Sequence, residues 1–178
     1  MTPKRPNHAP HPITLMKNHI LTKALAIAAM LVGACTARSQ SADIQPGIAM
    51  GSVHSGMTTK EVAITLGKPD QIIDLSDRSS KKREITYKKL GLTIFTGFST
   101  NIEVVHAVAV NAPFSGKTKE SIGIGSSRSE IIKAYGQPTE IKRPGLPNFE
   151  VLSYDSPKIK FALQDDKVSI ISTEFESQ

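Results

Sequence analysis

Apolar positions along this chain fall into one arrangement that occurs twice. The run Gly56-Met-Thr-Thr-Lys-Glu-Val-Ala-Ile-Thr-Leu-Gly-Lys-Pro-Asp-Gln-Ile72 carries a short apolar stripe at Val62, Ala63 and Leu66. The run Gly125-Ser-Ser-Arg-Ser-Glu-Ile-Ile-Lys-Ala-Tyr-Gly-Gln-Pro-Thr-Glu-Ile141 carries Ile131, Ile132 and Tyr135. The offset is constant, so Gly56, Glu61, Gly67, Pro69 and Ile72 recur as Gly125, Glu130, Gly136, Pro138 and Ile141. Self-similarity at a fixed spacing points to a duplicated structural unit.

Each run predicts one helix of about two turns. Thr58 and Ser127 stand as N-caps, with Glu61 and Glu130 three residues on. That spacing is the capping box, in which a hydroxyl and a carboxylate satisfy backbone N–H groups that have no helical partner. Gly67 and Gly136 are expected to close the helices in the left-handed conformation. Pro69 and Pro138 keep them from resuming.

Beyond each helix the period shortens towards two. Strand-like segments fall at 71–75, 83–90, 92–98 and 102–110, then at 139–143, 149–155, 158–163 and 167–175. In 158–163 the alternation is clean, so Ile159, Phe161 and Leu163 should face a core. Ile102, Val104, Val108 and Val110 are expected to share one face with His106. Turn signals separate the strands at 76–80, 144–147, 155–157 and Asp165-Asp166. The expectation is an α+β fold of two tandem copies, each a short helix followed by an antiparallel β-meander. The helices would pack on one face of the sheet. The units would span 47–114 and 115–178, joined through 112–119.

The first 34 residues have a different character. Residues 1–15 are rich in Pro and His without apolar period, and Met16 opens a more natural start. Lys17 and Lys23 precede an apolar stretch over 24–32, followed by Gly33, Ala34 and Cys35. This is the layout of a secretory signal peptide over 1–34. The apolar stretch is well short of the roughly 20 residues of a membrane-spanning helix. Val32-Gly33-Ala34-Cys35 resembles a lipobox, which implies that the Cys35 thiol receives a diacylglycerol and becomes an acylated N-terminus. Cys35 is the only cysteine, and an unpaired thiol in a secreted domain would be a reactive liability. Acyl chains on it would anchor the chain stably. Residues 35–46, polar and small, read as a flexible lipidated tether. Thr36 resembles the residue of outer-membrane-sorted lipoproteins, where Asp at that position usually signals inner-membrane retention.

Charge and candidate chemistry narrow the picture. The formal charge is +6, but four of the 22 basic residues and none of the 16 acidic ones precede Cys35. The remaining 18 against 16 give +2, which is no argument for nucleic acid as a partner. Beyond Cys35 the histidines are His54 and His106. His54 lies in a Gly/Ser segment. His106 is expected to be a buried, satisfied histidine, with no partner motif near it. No G-x-S-x-G elbow and no metal-ligand spacing appear. Gly123-Ile-Gly-Ser-Ser127 lacks the spacing of a phosphate loop and is better explained by the cap. Lys81, Lys82 and Arg83, with Lys88 and Lys89, form the notable charge cluster. It is a candidate for contact with an anionic surface, or a solvated hairpin whose lysines discourage edge pairing.

The run GMTTKEV…LGKPD followed by strands, behind a lipobox, resembles the SmpA/OmlA outer-membrane lipoprotein domain, also called BamE-like. The tandem arrangement is similar to the beta-lactamase inhibitor protein architecture, which duplicates such a unit. The resemblance spans about 47–178, but its specific part is the helix signature, which marks fold more than activity. It implies a non-enzymatic outer-membrane or periplasmic lipoprotein. Such a protein would act as a protein-binding module in envelope assembly or maintenance. The alternative is an inhibitor of a periplasmic or extracellular hydrolase, a beta-lactamase or a peptidase. Either way the expected partners are the membrane, through the anchor, and an envelope protein. No cofactor, metal, nucleic acid or small-molecule substrate is expected.

Overall fold

The computed structural model describes residues 43–175 apart from Ser79 and Thr100. The expected signal peptide, Cys35 and most of the expected tether lie outside the described residues. Asp43 onward belongs to a compact unit. In chain order come β1 (Ile44–Gln45), β2 (Ala49–Met50), β3 (Val53–His54), α1 (Thr59–Leu66), β4 (Gln71–Asp74), β5 (Lys82–Tyr87), β6 (Leu92–Ser99) and β7 (Ile102–Asn111). Then follow α2 (Arg128–Tyr135), β8 (Glu140–Lys142), β9 (Phe149–Tyr154), β10 (Ile159–Gln164) and β11 (Lys167–Glu174). A 3-10 turn over Lys88–Leu90 connects β5 to β6.

The expected α+β fold of two separate helix-plus-meander copies is overturned. The described residues are mostly antiparallel β, with one eight-stranded sheet ordered β4-β5-β6-β7-β11-β10-β9-β8 and a three-stranded sheet β1-β2-β3. The helices are eight residues each, and each buries a single residue fully, Val62 or Ile131. A two-turn helix offers too little apolar surface to cover a four-stranded meander alone, so the strands merge into one sheet over one core.

Register across the sheet separates its two faces. Tyr87, Leu92, Val110, Ile171, Phe161, Leu152 and Ile141 stand opposite one another across seven strands. All but Ile141 are buried. Ile44, Met50 and Val53 of the small sheet join this core, as do Val62 and Ile131 of the helices. Burying an aliphatic side chain of this size is worth roughly 1.5–3 kcal/mol. Tyr135 of α2 packs against Tyr154 and Phe161 with ring centroids 5.5 and 5.4 Å away. Burial, with the Glu120 carboxylate that its hydroxyl contacts, pushes the Tyr135 phenol well above its usual range.

Strict alternation fails at two places. Between β6 and β7 the register shifts, so His106 is an extra residue between Val105 and Ala107. Between β10 and β11 it shifts again at Ser169. Each extra residue inverts the faces beyond it. The core side of β7 therefore carries Val105, Val108 and Val110, all buried, whereas Ile102 is exposed and Val104 half-exposed. The expected shared face of Ile102, Val104, His106, Val108 and Val110 is thus split by the bulge. In β10 no such inversion intervenes, and Ile159, Phe161 and Leu163 are fully buried.

Next to each bulge a helix lead-in joins the sheet. The Val105 N–H donates to the Met57 carbonyl at 2.8 Å, and the Val168 N–H donates to the Ser126 carbonyl at 2.8 Å. Both helices then start with complete capping boxes. The Thr58 N–H donates to Glu61 at 2.8 Å and the Ser127 N–H to Glu130 at 2.6 Å. The hydroxyls accept from the Glu61 and Glu130 N–H groups in return. At the other end Gly67 and Gly136 have φ/ψ of 80/−156° and 78/−158°. This is not the expected left-handed helical conformation but an extended positive-φ region essentially restricted to glycine.

Each closing glycine is also held from the sheet. The Tyr87 hydroxyl donates to the Gly67 carbonyl at 3.2 Å, and the Tyr154 hydroxyl to the Gly136 carbonyl at 3.0 Å. The segment after each helix continues the same pattern, with the Asp70 and Thr139 N–H groups donating to Thr86 and Ser153 carbonyls.

Removing either hydroxyl tests these tyrosine latches. Tyr87→Phe and Tyr154→Phe should each lower stability by about 1 kcal/mol in urea titrations, with additive effects in the double variant. An unchanged midpoint in both would mean that the latches do not hold the helix ends. The capping boxes set an acid dependence as well. Hydrogen bonds from the Thr58 and Ser127 backbone N–H groups, then from their hydroxyls, hold Glu61 and Glu130 below the usual carboxylate value of 4.5. A depressed folded-state pKa contributes stability above the unfolded value that is lost as pH falls through the folded one. Stability should therefore decline below about pH 4.5, and Glu61→Gln with Glu130→Gln should flatten that decline. An identical acid profile in the double variant would remove the carboxylates from the explanation.

Candidate functional site

The helices and the small sheet all contribute to one core, so they share one face of the large sheet. Among the described residues nothing is layered over the other face. One row on that face crosses all eight strands: Gln71, Thr86, Thr93, Ala109, Ser172, Lys160, Ser153 and Glu140. It contains no large apolar side chain. Lys160 donates to Glu174 at 2.6 Å across this face. That hydrogen bond and the ammonium's charge hold Glu174 below the usual carboxylate range.

At one end of this face lies an open groove of about 900 Å³. Its walls include Lys81, Lys82, Phe95, Gly97, Phe98, Asn101, His106, Glu174 and Phe175. The bulge turns His106 outward onto this face, so it is half-exposed and not the buried core histidine that the sequence suggests. Its ring lies over Gly97, where a Cβ would stand 2.6 Å from both Cδ2 and Nε2. The Lys81 ammonium sits 5.6 Å from the centre of the Phe98 ring, within cation–π range. Phe98 is 45% exposed. By register Phe98 stands opposite Glu103, so the groove floor carries Lys82, Phe95 and His106, with the Lys81–Phe98 pair at its rim.

The basic cluster read from the sequence does not form one site. Lys81 and Lys82 line the groove. Arg83 points to the opposite, core-side face. There its guanidinium is paired with Glu103, and its Nε donates to Glu103 Oε1 at 2.7 Å. The buried Glu103 also accepts from Thr96 at 2.6 Å and from Thr59, the first residue of α1, at 3.3 Å. Arg128, the first residue of α2, likewise donates to Glu150 at 2.6 Å. Arg83 therefore ties β5 to the β7 carboxylate that also meets α1, and is removed from the candidate surface. Lys88 and Lys89 lie beyond the far end of β5, in the 3-10 turn. Lys88 is six positions along the chain from Lys82, about 20 Å in extended strand.

The remaining candidates have structural places. His54 is exposed at the end of β3, its Nδ1 3.0 Å from the Ser55 carbonyl. In the 123–127 segment the Gly123 N–H donates to the Ser126 hydroxyl at 3.1 Å, and Ser127 caps α2. Asp165 and Asp166 both have positive φ in the turn joining β10 to β11. Among the described residues no group of three His, Cys, Asp or Glu is arranged to hold a metal.

Phe95, Phe98, Glu103 and the two latch tyrosines were not identified from the sequence. Gly97 carried a usable signal, since a lone glycine inside an apolar strand marks a bulge or a close approach. The Glu103 network carried none, because the bulge sets which face that residue occupies.

No family model matches this chain, and no curated protein matches it. Among solved structures it is similar to a DUF4309 family protein, YjgB from Bacillus subtilis subsp. subtilis str. 168. That likeness has a TM-score of 0.44 at 11% identity and covers 73% of this chain and 83% of that one. At that level it carries nothing about activity. What the geometry defines is an antiparallel β protein with one helix-covered face and one open face.

The contact between Gly97 and His106 is testable by a double-mutant cycle. Gly97→Ala should displace the His106 ring, shift its NMR signals and cost about 1 kcal/mol. In a His106→Ala background the same substitution should cost nothing further. Equal costs in the two backgrounds would mean that the ring does not occupy the space over Gly97.

Proposed function

We propose that this chain is a non-enzymatic lipoprotein of the outer membrane, facing the periplasm, that works as a protein-binding module in envelope assembly or maintenance. The observation that carries the reading is the open sheet face, with its cross-strand row of small and polar residues. The short side chains of Thr86, Thr93, Ala109 and Ser172, flanked by Gln71 and Lys160, let a partner's surface approach the sheet closely there, and the groove at one end supplies a cation–aromatic pair, Lys81 over Phe98. The signal-like leader, the lipobox at Cys35 and the resemblance to the SmpA/OmlA domain supply the location. Among the described residues no helix is long and apolar enough to cross a membrane, so in this reading attachment rests on the lipid.

A second reading, inhibition of a periplasmic or extracellular hydrolase, is favoured by the exposed Phe98 ring, which could anchor in a partner's pocket. Inhibition assays against serine β-lactamases and peptidases distinguish it. Loss of hydrolase activity at stoichiometric protein supports it, and no inhibition removes it.

Intact mass of the membrane-extracted protein should correspond to a chain starting at Cys35 with a diacylglyceryl group and an added acyl chain. Cys35→Ala should release the protein from membranes. Crosslinking in cells should then yield a specific envelope protein with wild type and lose it with Cys35→Ala. An unmodified mass, or full complementation by the unanchored variant, would overturn the anchored-module reading.

A further inference from the structure

The end of the domain where the chain enters from its N-terminal side has a distinct chemistry. Asp43 is the first described residue, and its carbonyl accepts from the Gly51 N–H at 2.6 Å. It lines a depression of about 390 Å³ together with Leu66, Lys89, Leu90, Pro113 and Phe114. Leu90 is 42% exposed, and Lys88, Lys89 and Pro113 are exposed. Lys117, also exposed, is tied to the same entry point, since its carbonyl accepts from the Ile44 N–H at 3.1 Å. Two carboxylates share this end, Asp43 and Asp70, and Asp70 accepts from the Lys88 N–H at 2.8 Å. The Lys117 side chain itself runs past Gly123 toward Glu130, so this end presents the Lys88 and Lys89 ammonium groups and Leu90 beside the Asp43 and Asp70 carboxylates.

We infer that this end lies against an anionic lipid surface, with Lys88, Lys89 and Leu90 as the contact and the open groove turned away from the membrane. The inference rests on the reading of Cys35 as the anchor. Cys35 and Asp43 are eight positions apart, which spans at most about 29 Å of fully extended chain. Asp43 is therefore held near the bilayer, and the turn beside it comes with it. The groove end lies about 20 Å away along β5. Pressing that end on the bilayer would oblige the tether to span about 20 Å of its roughly 29 Å reach, whereas contact at the turn leaves it slack. Lysines around an exposed leucine are also what an anionic headgroup layer accommodates, with ammonium groups at the phosphates and the alkyl group just beneath.

The chain has no tryptophan and a single cysteine, which makes a direct test simple. Leu90→Trp and Phe98→Trp place one fluorophore at each end, both at exposed positions. The chain starting at Cys35 is coupled through that thiol to a maleimide-bearing lipid in vesicles of phosphatidylcholine and phosphatidylglycerol with brominated acyl chains. The anchor is then imposed chemically, so the result does not depend on acylation in the cell, which the intact mass tests separately. Bromine should quench Leu90→Trp at least about twofold more than Phe98→Trp, because contact at the interface is short-ranged. Lys88→Glu with Lys89→Glu should lower that quenching, as should vesicles of phosphatidylcholine alone. Equal quenching at the two positions, or stronger quenching of Phe98→Trp, would overturn the orientation. Quenching of Leu90→Trp that ignores both the lysines and the anionic lipid would overturn the anionic surface as the partner.

Discussion

The structure depends on the pairing of β7 with β11. Ala107 to Asn111 run antiparallel to Ile170 to Glu174, at the centre of the eight-stranded sheet. Without that seam each half would be a four-stranded sheet with an unpaired central edge and one two-turn helix over it. Such a half has little to bury, since its helix supplies one fully buried residue. Pairing the two strands satisfies both edges at once and lets Val108, Val110 and Ile171 share a core with Phe161 and Ile94. A chain of this size gains more from one larger core than from two small ones.

The seam also explains why the two long strands are irregular. Each is paired to the other over only part of its length. Beyond the bulge at His106, β7 turns its free side to Met57, and beyond the bulge at Ser169, β11 turns its free side to Ser126. Bulges increase local twist and redirect the strand, which opens room at the sheet for the two helix lead-ins. The capping boxes follow immediately, so each helix begins where the sheet fixes its first residues. The tyrosine latches fix the other end. The duplicated sequence signature is thus the record of how a short helix is held to a strand at both ends.

This distribution of constraints decides what a sequence discloses. Caps and alternating strands depend on neighbours within a few residues, so the helix starts at Thr58 and Ser127 and the buried face of β10 are legible. Strands β1 to β3 are two residues each and too brief for any period to register. A bulge is set by what must fit beside the strand. One extra residue at His106 therefore reverses an assignment that alternation alone makes plausible. The merger of two meanders into one sheet is a long-range choice, invisible to local pattern, and it turns an expected α+β fold into a mostly β one. The basic cluster divides for a similar reason. Alternation turns Lys82 and Arg83 to opposite faces, and a buried carboxylate from β7 takes the arginine.

The same geometry gives the domain two chemically different ends and an open face between them. Along β5 the cations of the sequence cluster separate into a groove pair at one end and a turn pair at the other. The groove pair stands with Phe95, Phe98 and His106. The turn pair stands with Leu90 and the point where the chain enters. The open row between them carries Thr86, Thr93, Ala109, Ser172, Lys160 and Ser153, where the core row opposite carries Leu92, Val110, Ile171 and Phe161. The four adjacent short residues from Thr86 to Ser172 leave the backbone layer close to the surface there. On the proposed anchoring through Cys35, a domain attached near its turn end would present that open face, with the aromatic and cationic groups at its far end, away from the point of attachment.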